Sequence, residues 1–206
     1  SVVADSQVVA AAGALIGKFD RIVVKAGGGS RAVAAQVRAL AQRFGAAVVL
    51  SPGSTGVLPD AHPQNMHVGG AKGSLSGNYA MANANLLIAI GTRAVCQADC
   101  SGIGYPHVEA LINLNGDLDD VAHYNRTLAL PGDIGASIAR LLDALPRDGV
   151  SASKREWLEQ CAAKKREWAT LKADLFNTPP LFDPTWQREV LTQPVAIKTV
   201  ADFAKA

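Results

Sequence analysis

Short apolar runs recur along the first 146 residues, and most are followed by residues spaced for one face of a helix. Residues 21–26 (RIVVKA) are β-branched and run straight into Gly27-Gly28-Gly29, after which Val33, Val37, Leu40, Ala41 and Phe44 recur at helical spacing. Residues 46–50 (AAVVL) end at Ser51-Pro52-Gly53, and residues 86–90 (LLIAI), preceded by a helical stretch at 75–84, end at Gly91-Thr92-Arg93. Two more runs, 110–114 (ALINL) and 127–130, follow; Asp133 then opens a helix with Ile134, Ile138, Leu141 and Leu142 on one face. Strands that are apolar on both faces must be covered on both, and amphipathic helices between them supply the cover. The expected fold is a three-layer Rossmann-like α/β domain with a five- to six-stranded parallel sheet.

Beyond residue 146 the pattern changes. Residues 1–146 carry 10 Lys+Arg and 10 Asp+Glu, whereas residues 147–206 carry 10 and 8 in less than half the length. From 153 to about 175, Trp157, Leu158, Cys161, Trp168, Leu171 and Leu175 form one stripe of a long charged helix, which must dock on something. Pro179, Pro180, Pro184 and Pro194 make residues 177–194 extended or irregular, and a last amphipathic stretch runs over 196–204. The sequence therefore reads as an α/β body at 1–146 and, at 147–206, a C-terminal long helix with an extended linker.

Several function classes are unsupported. The net charge is only +2, with no arginine-rich arm, which gives nucleic acid no footprint. The apolar runs are far too short to cross a bilayer. Residues 1–5 show no basic start or long apolar stretch, and the expectation is a soluble, cytoplasmic, truncated chain. Cys96, Cys100 and Cys161 are too few for a disulfide framework and are expected as small buried thiols. His62, His67, His107 and His123 lack metal-ligand spacing, and no nucleophilic arrangement can be argued, so neither catalytic nor metal residues are assigned.

What remains is a candidate nucleotide edge. Residues 27–32 satisfy G-x-G-x-x-A between a strand and a helix, where glycines let backbone approach a pyrophosphate and free N–H groups at the helix start meet its charge. A tight turn with no ligand is the competing reading. The second strand ends Leu50-Ser51-Pro52, with no acidic side chain for a ribose hydroxyl, which disfavours standard NAD binding. Arg93 leaves the third apolar run at the expected carboxyl edge, where a guanidinium can clamp phosphate or stack on a flat ring; an exposed loop arginine is the alternative. The loop Gly69-Gly70-Ala71-Lys72-Gly73 is either a backbone wrap for a ligand or a mobile surface loop.

The order of these pieces resembles the central domain of the acetolactate synthase and pyruvate oxidase group of thiamine-diphosphate enzymes. The resemblance spans roughly residues 5–146. It is carried by residues 22–29, the segment 53–63 (GSTGVLPDAHP), Gly69-Gly70, the stretch 84–93 (ANLLIAIGTR), the strand at 111–115 and the helix at 133–145. It implies nucleotide-facing positions at Gly28, Gly29, Arg31, Gly70, Gly91, Thr92 and Arg93, with Asn115 and Asp133 beside them, and FAD or ADP as the ligand in some members. It also implies a longer enzyme, homo-oligomeric when full length, that cleaves or joins carbon–carbon bonds beside a carbonyl. Thiamine diphosphate and Mg²⁺ would be held in N- and C-terminal domains outside this chain, so the chain alone is expected to be inactive. Two departures bear on FAD: residues 112–115 read INLN where flavin-binding members commonly have an Asp-containing run, and Lys25 stands where an apolar residue is usual. The tail's length and tryptophans are similar to the trihydroxycyclohexanedione hydrolase branch.

Two rival readings stay open at this point. One is a free-standing FAD- or NAD-binding protein, like an electron-transfer flavoprotein domain or a deacetylase. The other is a non-enzymatic scaffold whose Trp157/Trp168 helix docks a partner.

Overall fold

The computed structural model describes residues 3–93, 103–122, 126–145 and 149–205. Cys96, Cys100 and His123, named above, lie outside the described residues, as does the boundary residue Pro146. The chain divides into two compact units, Ser1–Lys165 and Arg166–Ala206.

In the first unit, helix α1 (Ser6–Lys18) leads to β1 (Ile22–Ala26), whose five residues are all buried because helices cover both of its faces. A 3₁₀ segment at Gly28–Val33 precedes α2 (Ala34–Phe44), then come β2 (Ala47–Leu50), β3 (Asn65–Val68), α3 (Leu75–Asn83) and β4 (Leu86–Ile90). Beyond it lie β5 (Ala110–Asn115), the single turn α4 (Leu118–Val121), β6 (Thr127–Pro131) and α5 (Ile134–Ala144). The strand order is β3-β2-β1-β4-β5-β6, with every pairing parallel. The parallel sheet expected from the sequence is present, with six strands. Its order reverses between β1 and β4, the switch point at which doubly wound sheets open a crevice at their carboxyl ends.

Each face has its own core. On one, Val9, Ala12 and Ile16 of α1, Val37 and Leu40 of α2 and Ile138 and Leu141 of α5 pack on Ile22, Val24, Ile88 and Ile112. On the other, Met81 of α3 and Trp157 and Cys161 of α6 (Ala152–Phe176) pack on Val23, Val49 and Leu87. Trp157 is 1 % exposed, and its indole N–H donates to the Ile22 carbonyl at 3.1 Å, tying the first turns of α6 to the start of β1. Asp133 caps α5 by accepting from the Ala136 N–H at 2.8 Å, as its position ahead of that helix predicted.

Three elements differ from the sequence reading. Helix α1 was not expected as an element. The second helix starts at Ala34 because the preceding turn is taken up by the 3₁₀ segment. The edge strand β3 was not expected either; its register with β2 shifts, and His67 takes a left-handed φ of 64°.

The second unit contains the end of α6, an antiparallel hairpin of β7 (Leu181–Asp183) and β8 (Arg188–Val190), and α7 (Gln193–Phe203). The stretch expected to be extended or irregular thus closes into a short hairpin: Asp183 accepts from the Thr185 and Trp186 N–H groups and makes the turn. Among the described residues, no helix is long and apolar enough to cross a membrane.

Candidate functional site

The sheet brings the glycine turn after β1 and the Gly91-Thr92-Arg93 turn after β4 to one edge, side by side. They meet backbone to backbone. The Gly27 N–H donates to the Ile90 carbonyl at 2.9 Å, and the Gly29 N–H to the Gly91 carbonyl at 3.1 Å. A Cβ on Gly27 would stand 2.2 Å from the Gly91 oxygen and 2.6 Å from the Thr92 Cα, and one on Gly91 would stand 2.8 Å from the Gly29 Cα. Gly91 also has a φ of +55°. These positions need glycine because two loops touch, whether or not a ligand is bound.

The neighbouring polar groups are also satisfied internally. Buried Ser30 donates its hydroxyl to the Gly27 carbonyl at 2.6 Å, and buried Ser54 donates to the Ala26 carbonyl at 2.7 Å. Both serines close the end of β1. The Asn115 amide donates to the Thr92 carbonyl at 3.1 Å, and its oxygen accepts from the Asp117 N–H at 3.1 Å, so this side chain ties the β4 loop to the β5 loop. Asp133, beyond β6, is committed to capping α5.

Gly70 is held in the same way. Its N–H donates to the Asn78 side-chain oxygen at 2.8 Å, while the Asn78 amide donates back to the Gly70 carbonyl at 3.0 Å. The Gly73 N–H returns to the Gly70 carbonyl, and the Ser74 N–H to that of Val68. The loop is pinned to the first turn of α3. Sequence reasoning missed Asn78 because one asparagine eight residues past a glycine carries no spacing signal.

What stays open at this edge is small. Gly28 is exposed, and a Cβ there would meet only the Gly53 oxygen, at 3.8 Å. Arg31 and Arg93 are exposed on the two adjoining turns. Thr92 is buried between them. Of the nine sequence-derived positions, the structure gathers Gly28, Gly29, Arg31, Gly91, Thr92, Arg93 and Asn115 around the switch point. Gly70 lies across β2, beyond β3, and Asp133 beyond β6, at the same edge.

Lys25 is 0 % exposed. Its ammonium donates to the Leu50 carbonyl at 3.3 Å and the Gly69 carbonyl at 3.5 Å, where β2 and β3 lose register. The lysine in place of an apolar residue thus supplies donors where the ladder is irregular. Cys161 is buried, and burial pushes its thiol up to about 12, so it stays protonated. It packs as the expected small hydrophobe. Among the described residues, no group of three or more His, Cys, Asp or Glu is placed to hold a metal ion.

A dinucleotide needs several free amides converging on its phosphates. Here the amides of Gly27, Gly29 and Gly70 are taken by protein acceptors, and Asn115 by its own loops. The residues present do not fit a tightly wrapped FAD or ADP; two guanidiniums and the Gly28 backbone are what they offer.

Comparison with known proteins gives a family and two relatives. The family described as "Thiamine pyrophosphate enzyme, central domain" matches residues 9–141. Acetolactate synthase of Mycobacterium avium is 31 % identical over 116 residues, 55 % of this chain and 18 % of that protein. The acetolactate synthase isozyme 1 large subunit of Escherichia coli (strain K12) is 28 % identical over 161 residues, 76 % of this chain and 27 % of that protein. The chain therefore spans about a quarter or less of the length of either relative.

Proposed function

This chain belongs to the thiamine pyrophosphate enzyme central-domain family, and from that premise we propose that it is the architectural middle of an acetolactate synthase-like enzyme acting on 2-oxo compounds. In the whole enzyme, thiamine pyrophosphate with magnesium serves as the electron sink for making or breaking a carbon–carbon bond. Of the nine edge residues, Gly29, Gly70, Gly91, Thr92, Asn115 and Asp133 are read as loop-closing and capping groups rather than as ligands. One observation carries this reading: the two turns at the switch point are bonded to each other, Gly27 to Ile90 and Gly29 to Gly91, where a nucleotide cradle would leave its amides free.

Residues 1–146 form the nucleotide-binding-type body, and residues 147–206 run toward a thiamine-binding domain. The burial of Trp157 and Cys161 adds the first turns of α6 to that body. The test is a pair of assays with pyruvate or another 2-oxo acid, with and without thiamine pyrophosphate and Mg²⁺. The full-length enzyme should turn over only when both are added, and the 206-residue chain not at all; turnover by the chain alone overturns the proposal.

One observation favours a second reading. Arg31 and Arg93 stand exposed on adjoining turns, an arrangement that can hold a single phosphate group by two guanidiniums. A nucleotide bound in that way would be gripped at one end only.

A further inference from the structure

The charges at the carboxyl edge of the sheet are sorted by sign. Residues 21–93, which build β1 to β4 and their turns, hold seven basic side chains and one acidic; residues 109–133, which build β5, β6 and theirs, hold one basic and five acidic. Lys72 stands beyond β3, Arg31 beyond β1 and Arg93 beyond β4, all exposed. Beyond β5 come exposed Asp117 and Asp119 and half-buried Asp120, and beyond β6 exposed Asp133. Along the strand order the sign changes once, between the neighbours β4 and β5. Among the described residues, none of these seven charges has an ion-pair partner.

Such an edge does not suit a partner of one sign. A free anion drawn to Arg31 and Arg93 meets the carboxylates of the turn at 117–120, one strand or about 4.8 Å further along the sheet. A uniformly acidic or basic protein is repelled by one half while the other attracts it. The surface that matches this edge is the same edge turned end for end. A two-fold axis along the sheet normal, passing between β4 and β5, brings two carboxyl edges face to face and reverses the strand order of one against the other. Arg93 then stands opposite the β5 turn of the second copy, with Asp117 and Asp119, and Arg31, one strand further out, stands opposite the second copy's Asp133. The axis repeats both pairings, and no like charges are set against each other.

We propose that this edge is a self-complementary docking surface for a second copy of the chain, Arg93 pairing with Asp117 and Asp119 and Arg31 with Asp133 across the two-fold axis. Exposed ion pairs are individually weak and are screened by salt, so the dimer forms with rising concentration at low ionic strength. This dimer goes beyond the central-domain reading and does not depend on it.

The test is sedimentation equilibrium of the 206-residue chain at low salt, beside an Arg31→Glu/Arg93→Glu variant and an Asp119→Lys/Asp120→Lys variant, each checked for folding by circular dichroism. Asp117 and Asp133 are left in place because they cap helices. The expected result is a wild-type dimer that salt dissociates, self-association about tenfold weaker or more in each variant, and a dimer containing one of each when the two variants are mixed. A wild-type chain that stays monomeric overturns the proposal, as does a dimer that both variants retain. Variants that fail to recombine on mixing overturn it too, because the edge would then meet a different face. Saturable binding of inorganic phosphate by a monomeric wild type, lost in the arginine variant, overturns it in favour of the single-phosphate reading.

Discussion

Replacing Gly27 by alanine separates a turn shaped by loop contact from one shaped by a ligand. The new Cβ would lie 2.2 Å from the Gly91 oxygen, 2.6 Å from the Thr92 Cα and 2.7 Å from the Gly91 carbon. All three are backbone atoms at the end of a buried strand, so no side chain can swing aside. The φ of Gly27 is −97°, ordinary for any residue, so the whole effect is steric. Overpacking of this kind costs about 1–3 kcal/mol. Parting the turns also weakens the Gly27–Ile90 and Gly29–Gly91 hydrogen bonds, each worth about 1 kcal/mol. The expected loss is about 3–5 kcal/mol, a large share of the roughly 5–15 kcal/mol of a natural domain. Gly28→Ala is the control: its nearest neighbour would be 3.8 Å away, and substitutions in such places stay within about 0.5 kcal/mol. Urea unfolding followed by circular dichroism should show a lower midpoint for Gly27→Ala with an unchanged slope. Equal midpoints for Gly27→Ala and wild type, or an equal loss in both variants, would refute the loop-contact argument.

Three further outcomes are expected. Trp157→Ala empties a fully buried site and should cost about 3–5 kcal/mol, whereas Trp157→Phe loses mainly the bond to the Ile22 carbonyl and should cost about 1–2 kcal/mol; equal losses in urea unfolding would contradict this. Burial, Arg38 and Lys165 together hold His62 below its ordinary value of 6.5, so its neutral form is favoured in the fold. Its contribution is therefore fully present above pH 6.5 and is lost as pH falls through the folded value; His62→Gln should flatten stability against pH in that window, and an unchanged slope would count against it. Iodoacetamide followed by peptide mapping should leave Cys161 unlabelled in the native chain and labelled in urea, because the buried thiol is not ionised; native labelling would sink that reading.

How much of this was legible depended on whether the signal was local. The strands at Ile22, Ala47, Leu86 and Ala110 announce themselves because burial on both faces leaves nearly continuous apolar runs. Strand β3 does not, since Asn-Met-His-Val alternates like a loop, and Asn65 turns its amide to the Leu58 and Pro59 carbonyls. Helix α1 hid in an Ala- and Gly-rich stretch whose packing residues Ala12 and Gly13 are too small to mark a face. The hairpin at 181–190 has three-residue strands, shorter than any periodicity can reveal. The glycine motif was legible as a turn, but its cause was not. The pattern G-x-G-x-x-A is the same whether a phosphate or another loop approaches, and here the approaching group is Gly91, 64 positions beyond Gly27. Asn115 was legible only as a residue beside that edge, and it is the fold that brings the Thr92 carbonyl to its amide.

The claim that the switch-point turns are closed on each other is tested most directly by calorimetric titration of FAD, and separately of ADP, into the purified 206-residue chain. The account predicts no saturable heat at micromolar concentrations and no yellow colour after gel filtration. One-site binding at micromolar affinity that Gly28→Ala abolishes, with folding intact, would contradict it.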